Sequence, residues 1–178
     1  PLSTRIIQNT SSHALSDEVS RKVNELLSVF IKTAEATAYA HSRGIIHRDI
    51  KPDNIMIGEH GEVYLVDWGI AFDKNETEDH SGHMSGTPLY MSPEQARKEN
   101  ADERSDIYCL GTTFFHVFFD HIPILTDNVE SFWKDKKKGQ LSGVKPELLN
   151  AMPGPLVAIC MKCLEAKPSD RYQDAQSL

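Results

Sequence analysis

Four polar side chains between positions 49 and 67 have residue types suited to phosphate chemistry: Asp49, Lys51, Asn54 and Asp67. Asn54 and Asp67 offer the hard oxygen ligands that Mg²⁺ prefers. Lys51 follows Asp49 by two residues, so its ammonium can reach the same centre and neutralise a phosphate. Phosphoryl transfer depends on positioning and charge neutralisation more than on covalent chemistry. The set therefore suits the handling of a metal-bound phosphate.

A short β-hairpin is predicted to position these side chains. Residues 55–57 and 63–66 are apolar runs of strand type, and the turn residues 58–61 separate them. Because the two arms of a hairpin return to the same end, Asn54 and Asp67 can face one metal–phosphate cluster.

Helical spacing of apolar residues predicts that most of the remaining chain is α-helical. One amphipathic helix is expected from about residue 17 to about residue 42, with Ser16 or Asp17 at its start and Gly44 as its cap. A second helix is expected to be central and buried, because its apolar residues lie nearly all round: Ile107, Leu110, Phe114, Phe115, Val117 and Phe118.

Two further helices are predicted around residues 148–149 and 156–164, and a lysine-rich stretch precedes them. Its lysines are expected to form a solvated helix face, with docking of a substrate or regulator as the alternative; they are Lys134, Lys136, Lys137 and Lys138. The overall prediction is a mainly α fold with a small β-hairpin.

Five motifs, in this order, resemble those of protein kinases. Residues 47–54 resemble the catalytic loop, and residues 67–69 resemble the metal-binding Asp-Phe-Gly, with Trp68 in the phenylalanine position. Residues 86–94 resemble the end of the activation segment, and residues 106–111 resemble the start of the central helix. Arg171 resembles the arginine that pairs with the glutamate of the activation segment. Residues 39–44 and 94–96 are similar to those of bacterial serine/threonine kinases.

The resemblance implies a protein-kinase-like C-terminal lobe. Residues 1–16 are then a lead-in from the small lobe and hinge, residues 17–178 the catalytic lobe, and residues 67–94 its activation segment. The sequence contains no glycine-rich phosphate loop and no strand lysine of the small-lobe type. We therefore expect the small lobe to be absent, and this chain alone to be an incomplete fragment with weak or no activity.

The resemblance also implies a role for each residue of the site. By this resemblance, Asp49 is the base or orienter of the substrate hydroxyl, and Lys51 neutralises the γ-phosphate of ATP. Asn54 and Asp67 hold Mg²⁺, and Met56 lies under the adenine ring. Thr87 lies near the base and the lysine. Support is expected from His47, Trp68 and Asp106, and from the pair Glu94 and Arg171.

Arg48 directly precedes Asp49, an arrangement that in the family goes with a basic pocket for a phosphorylated loop residue. A phosphate adds up to two negative charges and three strong acceptors, so it can order a loop against an arginine. The candidate phosphorylation sites are Ser81, which its spacing from Gly86 favours, then Thr77 and Ser85.

The composition of the chain limits the kinds of partner that it can bind. A net charge of −7 and a pI of about 5.6 argue against nucleic-acid binding. No apolar run approaches the roughly 20 residues needed to cross a bilayer, and three cysteines are too few for a disulfide framework. We expect a cytoplasmic chain, with any membrane anchor outside these residues. Expected partners are protein substrates and a second copy, held through apolar surface around Met56 and Val66.

Two other functions compete with a serine/threonine protein kinase. A pseudokinase or interaction module would need no catalytic set, so the presence of Asp49, Lys51, Asn54 and Asp67 together argues against it. A small-molecule phosphotransferase is the other alternative. Lys51 and residues 87–94 favour protein substrates over it.

Overall fold

The computed structural model describes residues 12–74, 85–150 and 152–178. Its helices are α1 (Ser12–Ser42), α2 (Pro93–Arg97), α3 (Glu103–Phe119), α4 (Val129–Lys138), α5 (Pro146–Leu149) and α6 (Gly154–Cys163), with 3₁₀ turns at Pro52–Asn54 and Pro168–Asp170. Its strands are β1 (Ile45–Ile46), β2 (Ile55–Ile57), β3 (Val63–Leu65) and β4 (Phe72–Asp73). The predicted mainly α fold is confirmed.

Helix α1 ends where the sequence predicted but begins earlier. At its C-terminus, the N–H of Gly44 donates to the carbonyl of His41 (2.9 Å), and Gly44 has a φ of 78°, which glycine adopts without a steric cost. The predicted start near residue 17 was wrong, because the helix begins at Ser12. Residues 18, 20 and 21, just after the predicted start, are exposed.

The predicted hairpin is present, and a second small sheet accompanies it. Strands β2 and β3 pair antiparallel, with Met56 opposite Tyr64. Strands β1 and β4 also pair antiparallel, with Ile46 opposite Phe72. The second sheet was not predicted, since each of its strands has two residues and the partners are far apart in sequence. It ties the start of the catalytic-loop segment to the chain that follows the hairpin.

Helix α3 is the centre of the molecule. The side chain of Asp102 caps its N-terminus by accepting from the N–H of Arg104, and its residues take part in both clusters of buried side chains, one with Ile50 and one with Leu164. The burial predicted for Val117 was wrong: this residue is 38% exposed. The last turns of α3 bury one face, which carries Phe115 and Phe119, and Val117 lies on the opposite face of the helix.

Helix α4 carries the lysine-rich stretch, and its lysines do not form one solvated face. Lys134, Lys137 and Lys138 are exposed, but Lys136 is completely buried. The prediction was therefore wrong for Lys136. This side chain turns inward because two backbone carbonyls of the chain preceding α2 accept hydrogen bonds from its ammonium.

Candidate active site

The loop between β1 and β2 is held from below by the carboxylate of Asp106, in the first turns of α3. Its oxygens accept hydrogen bonds from the backbone N–H groups of His47 and Arg48 (both 2.8 Å) and from Nε2 of His41 (2.9 Å). Arg48 has a φ of 66°, a conformation rare for a non-glycine residue. Asp106 therefore fixes a strained backbone immediately before Asp49.

Asp49, Lys51 and Thr87 form the centre of the site. The Nζ of Lys51 lies 2.7 Å from both Oδ2 of Asp49 and Oγ1 of Thr87. The backbone N–H of Thr87 donates to the other carboxylate oxygen of Asp49 (2.7 Å). Three groups from two distant parts of the chain thus meet around one carboxylate.

The environment of Asp49 keeps its carboxylate charged. Burial acts to raise the pKa of Asp49. The hydrogen bonds from Lys51 and Thr87, with the charge of Lys51, outweigh burial and hold that pKa below its ordinary value. Asp49 is therefore ionised at neutral pH and can accept a proton or a hydrogen bond from a hydroxyl.

Asn54 and Asp67 flank the two strands of the hairpin and lie at the same end of it. The N–H of Val66 donates to the carbonyl of Asn54 (2.9 Å), which places Asp67 beside the asparagine. The amide Nδ2 of Asn54 donates to the backbone carbonyl of Asp49 (2.9 Å), leaving its oxygen as an acceptor. Asp67 is exposed and has a φ of 61°.

This donor set fits Mg²⁺. Within the described residues, no cluster of three or more His, Cys, Asp or Glu side chains forms a ready cage for a metal ion. Mg²⁺ is commonly held by one or two carboxylates together with substrate phosphates rather than by an all-protein cage. The amide oxygen of Asn54 and the carboxylate of Asp67 match that requirement.

His47 connects the loop to the hairpin. The N–H of Asp49 donates to Nδ1 of His47 (3.3 Å), so the ring proton lies on Nε2, which donates to the carbonyl of Val66 (3.1 Å). The ring of Trp68 packs against His47 with centroids 4.5 Å apart, and its Nε1 donates to the carbonyl of Leu65. Trp68 is 39% exposed, so it is not simple core filling.

The segment that delivers Thr87 is anchored at its far end by a buried ion pair. Arg171 binds both carboxylate oxygens of Glu94 (2.7 and 2.9 Å), and Ser105 donates to one of them. Burial acts to raise the pKa of Glu94, but the hydrogen bond and charge of Arg171 hold it below its ordinary value. Helix α2, which contains Glu94, is thereby fixed to the end of the chain.

Arg48 points its Nε at the carbonyl of Ile70 (2.7 Å), and its guanidinium lies over the ring of Phe72. Of the three candidate phosphorylation sites, Ser85 is half-buried beside this region. Thr77 and Ser81 lie outside the described residues.

Sequence reasoning missed Gln95, which joins α2 to the loop between β1 and β2. Its Nε2 donates to the carbonyls of Arg48 (2.8 Å) and Ser85 (3.2 Å), and its Oε1 accepts from the N–H of Ser92. Ser92 in turn accepts from the N–H of Gln95, which completes a capping box. The serine followed three residues later by glutamine was the signal that could have found it.

The comparisons with known proteins all indicate the same family. A family model described as "Protein kinase domain" matches residues 4–178. The serine/threonine-protein kinases PknD of Chlamydia caviae and Protochlamydia amoebophila are 35% and 32% identical over 88% and 91% of this chain. A probable serine/threonine-protein kinase of Clostridium perfringens is 36% identical over 85% of it.

The chain spans about a fifth of the length of these curated relatives: 18% of both PknD proteins and 22% of the clostridial protein. No helix within the described residues combines the length and apolar character needed to cross a membrane.

Proposed function

The chain belongs to the protein kinase domain family, and on that premise we propose that its site transfers the γ-phosphate of ATP to serine and threonine hydroxyls of proteins. The names of the relatives support this function. We also propose that the chain acts in the cytoplasm.

The observation that carries the proposal is the contact of one ammonium with two functional groups. Lys51 lies 2.7 Å from the carboxylate of Asp49 and 2.7 Å from the hydroxyl of Thr87. A surface loop has no need to bring a lysine, an ionised aspartate and a threonine from 36 residues away to one point. Transfer of a highly charged group to a hydroxyl uses an ionised acceptor for the hydroxyl proton and a cation that neutralises phosphate charge, and Asp49 and Lys51 supply these two.

In the proposed reaction, the acceptor hydroxyl hydrogen-bonds to the carboxylate of Asp49, which orients it and takes its proton. The hydroxyl oxygen forms a bond to the γ-phosphorus as the bond to the ADP oxygen breaks. Lys51 neutralises negative charge on the transferring group. These groups act mainly by positioning and electrostatics, which is the usual division of labour in phosphoryl transfer.

Asn54 and Asp67 are the proposed ligands of Mg²⁺, which neutralises phosphate charge when bound. Met56, exposed on β2 next to this end of the hairpin, is proposed to lie against the adenine ring. Arg48 is the proposed receiver of a phosphate on Ser81, Thr77 or Ser85. Of the five N–H donors of its guanidinium, Nε is the one that bonds a carbonyl within the described residues, that of Ile70.

The test is a comparison of acceptors. The full natural protein is incubated with MgATP and either a serine/threonine peptide library or a panel of hydroxyl-bearing metabolites, and products are identified by mass spectrometry. We expect phosphoserine and phosphothreonine in peptides. Phosphorylation of metabolites alone would indicate a small-molecule phosphotransferase, and the absence of any transfer would favour an interaction module.

A further inference from the structure

Lys136 is buried in a place where a lysine is costly. Its side chain is 0% exposed, although α4 also carries the exposed Lys137 and Lys138. Its Nζ donates to the backbone carbonyls of Leu89 and Met91, both at 2.9 Å. Burying an ammonium costs several kcal/mol even after relaxation, so these two bonds must explain why it does not reach for solvent.

No carboxylate within the described residues lies within ion-pairing distance of Lys136. Its ammonium instead lies over the rings of Tyr108 (5.4 Å) and Phe132 (5.9 Å). Burial lowers the pKa of Lys136 to about 7, with the nearby Cys109 acting in the opposite direction. An ammonium has three donors and a neutral amine two, so either form can bond both carbonyls.

Stability alone does not account for this lysine. Buried charged groups can often be replaced by apolar side chains of similar volume with no loss of stability, or with a gain. Lys136 is completely buried with its ammonium over the rings of Tyr108 and Phe132, and a methionine is an unbranched apolar side chain of similar volume. What a methionine cannot supply is the pair of donors that fixes the two carbonyls.

The carbonyls belong to residues 87–91, which we call the acceptor segment. Its first residue, Thr87, contacts Asp49 and Lys51, and Ser92 directly after it caps α2. Leu89, in its middle, is 41% exposed and faces outward beside the site. The acceptor segment is thus the polypeptide surface adjacent to the reacting groups, fixed at both ends by contacts already described and in the middle by Lys136.

We propose that Lys136 is a positioning residue for protein substrates: it fixes the acceptor segment from below, so that a bound polypeptide presents its hydroxyl to Asp49. The proposal rests on the proposed protein kinase function. Lys136 contacts neither substrate nor nucleotide, so it acts through the backbone at Leu89 and Met91. Its loss should weaken recognition of the polypeptide and leave recognition of the nucleotide intact.

The test is Lys136→Met in the full natural protein, assayed by steady-state kinetics on the best peptide from the library. We expect the peptide KM to rise about fivefold or more while the KM for MgATP stays within about twofold. The matched control is Lys138→Met, the same change at an exposed position of α4, for which both KM values should stay within about twofold of wild type. A merely structural role would lower the active fraction, and so kcat, without changing the peptide KM.

An unchanged peptide KM in folded Lys136→Met overturns the proposal. If that variant does not fold, Lys136→Gln decides, because its side chain is one bond shorter and its nitrogen cannot occupy the position of Nζ; we expect a rise of about threefold or more in peptide KM, and no rise overturns the proposal.

Asp49→Asn, assayed in parallel, separates this inference from its premise. Loss of phosphorylation in Asp49→Asn together with a wild-type peptide KM in the Lys136 variant rejects only the inference. Full phosphorylation by Asp49→Asn rejects the proposed function and the inference with it.

Discussion

At the scale of single residues, the hydroxyl of Thr87 is the group most open to a clean test. It accepts a hydrogen bond from the ammonium of Lys51, while the backbone N–H of the same threonine bonds Asp49 independently of the side chain. Hydrogen bonds to charged groups are stronger than neutral ones. The side-chain contact can therefore be removed without removing the backbone contact.

Thr87→Val removes the hydroxyl and keeps the shape of the side chain. Loss of a hydrogen bond to a charged group costs about 1.5–3 kcal/mol, so we expect kcat to fall by about 10- to 100-fold if the contact persists in the transition state. Initial rates on the library peptide at saturating MgATP measure this. Thr87→Ser, which retains the hydroxyl, should stay within about threefold of wild type; a valine variant with the serine variant's rate would show that the contact has no role.

At the residue scale, the sequence was informative where neighbouring residues define a local structure. It was not informative where the burial of a side chain depends on a segment that is distant in sequence. The turn residues and apolar runs were sufficient to predict the hairpin that Asn54 and Asp67 flank; their shared role as Mg²⁺ ligands stays a prediction. Lys136 could not be found this way, because a lysine among lysines on a polar helix has the pattern of a solvated face. Its partners, the carbonyls of Leu89 and Met91, lie more than 40 residues away in sequence, so the pattern of the helix does not indicate them.

At the scale of elements, the contact of α3 with α6 depends on a glycine. A Cβ added at Gly111 would lie 2.5 Å from the Cβ of Cys163, closer than carbon atoms approach without a shift. Cys163 and Gly111 are both in the interior, and Cys160 donates to the carbonyl of Gly111 as well. The two helices can therefore pack this closely only because position 111 has no side chain.

Gly111→Ala should destabilise the fold by about 1–3 kcal/mol, the usual cost of overpacking a well-packed interior. Gly154→Ala is the matched control at the start of α6, where an added Cβ meets nothing within 4 Å; it should be neutral or stabilise by up to about 1 kcal/mol. Urea unfolding of both variants measures the difference. Equal stabilities would contradict the close approach of α3 and α6.

Among elements, those with a long periodic pattern were predictable. Helix α3 and the hairpin followed from apolar spacing and turn residues. The pairing of β1 with β4 did not, since two-residue strands carry no alternation and their register is set by the loops between them. The start of α1 was placed too late because Ser16 and Asp17 have the residue types of a helix start, whereas the helix begins at Ser12.

At the scale of the whole molecule, the hairpin face that we propose to bind the nucleotide carries exposed apolar side chains. Met56 is 58% exposed, and Ile57 and Tyr64 on the same hairpin are also exposed. Electrostatic stabilisation is strongest where water is excluded. We propose that these residues form one contiguous apolar surface, and that this surface pairs with a second copy of the chain. Sedimentation velocity of the 178-residue polypeptide should then show a dimer. A strictly monomeric species would contradict this proposal.

The same openness predicts weak nucleotide binding by the 178-residue polypeptide taken alone. Asp67 and Met56 are both exposed, so MgATP would keep much of its contact with water while bound. We expect titration calorimetry to give a dissociation constant well above about 1 μM, or about −8 kcal/mol of binding free energy. Micromolar or tighter binding would show that these residues suffice for the nucleotide site.

The most direct measurement of the central claim is single-turnover transfer of the γ-phosphate to peptide by wild type and Asp49→Asn in the full natural protein, with saturating MgATP. Glu59→Gln, the same change of charge in the exposed hairpin turn, is the control. If Asp49 orients and deprotonates the hydroxyl, its variant should transfer phosphate about 100-fold more slowly or worse, with the MgATP dissociation constant within about threefold of wild type. Transfer by Asp49→Asn at the rate of Glu59→Gln would contradict the assignment of this site.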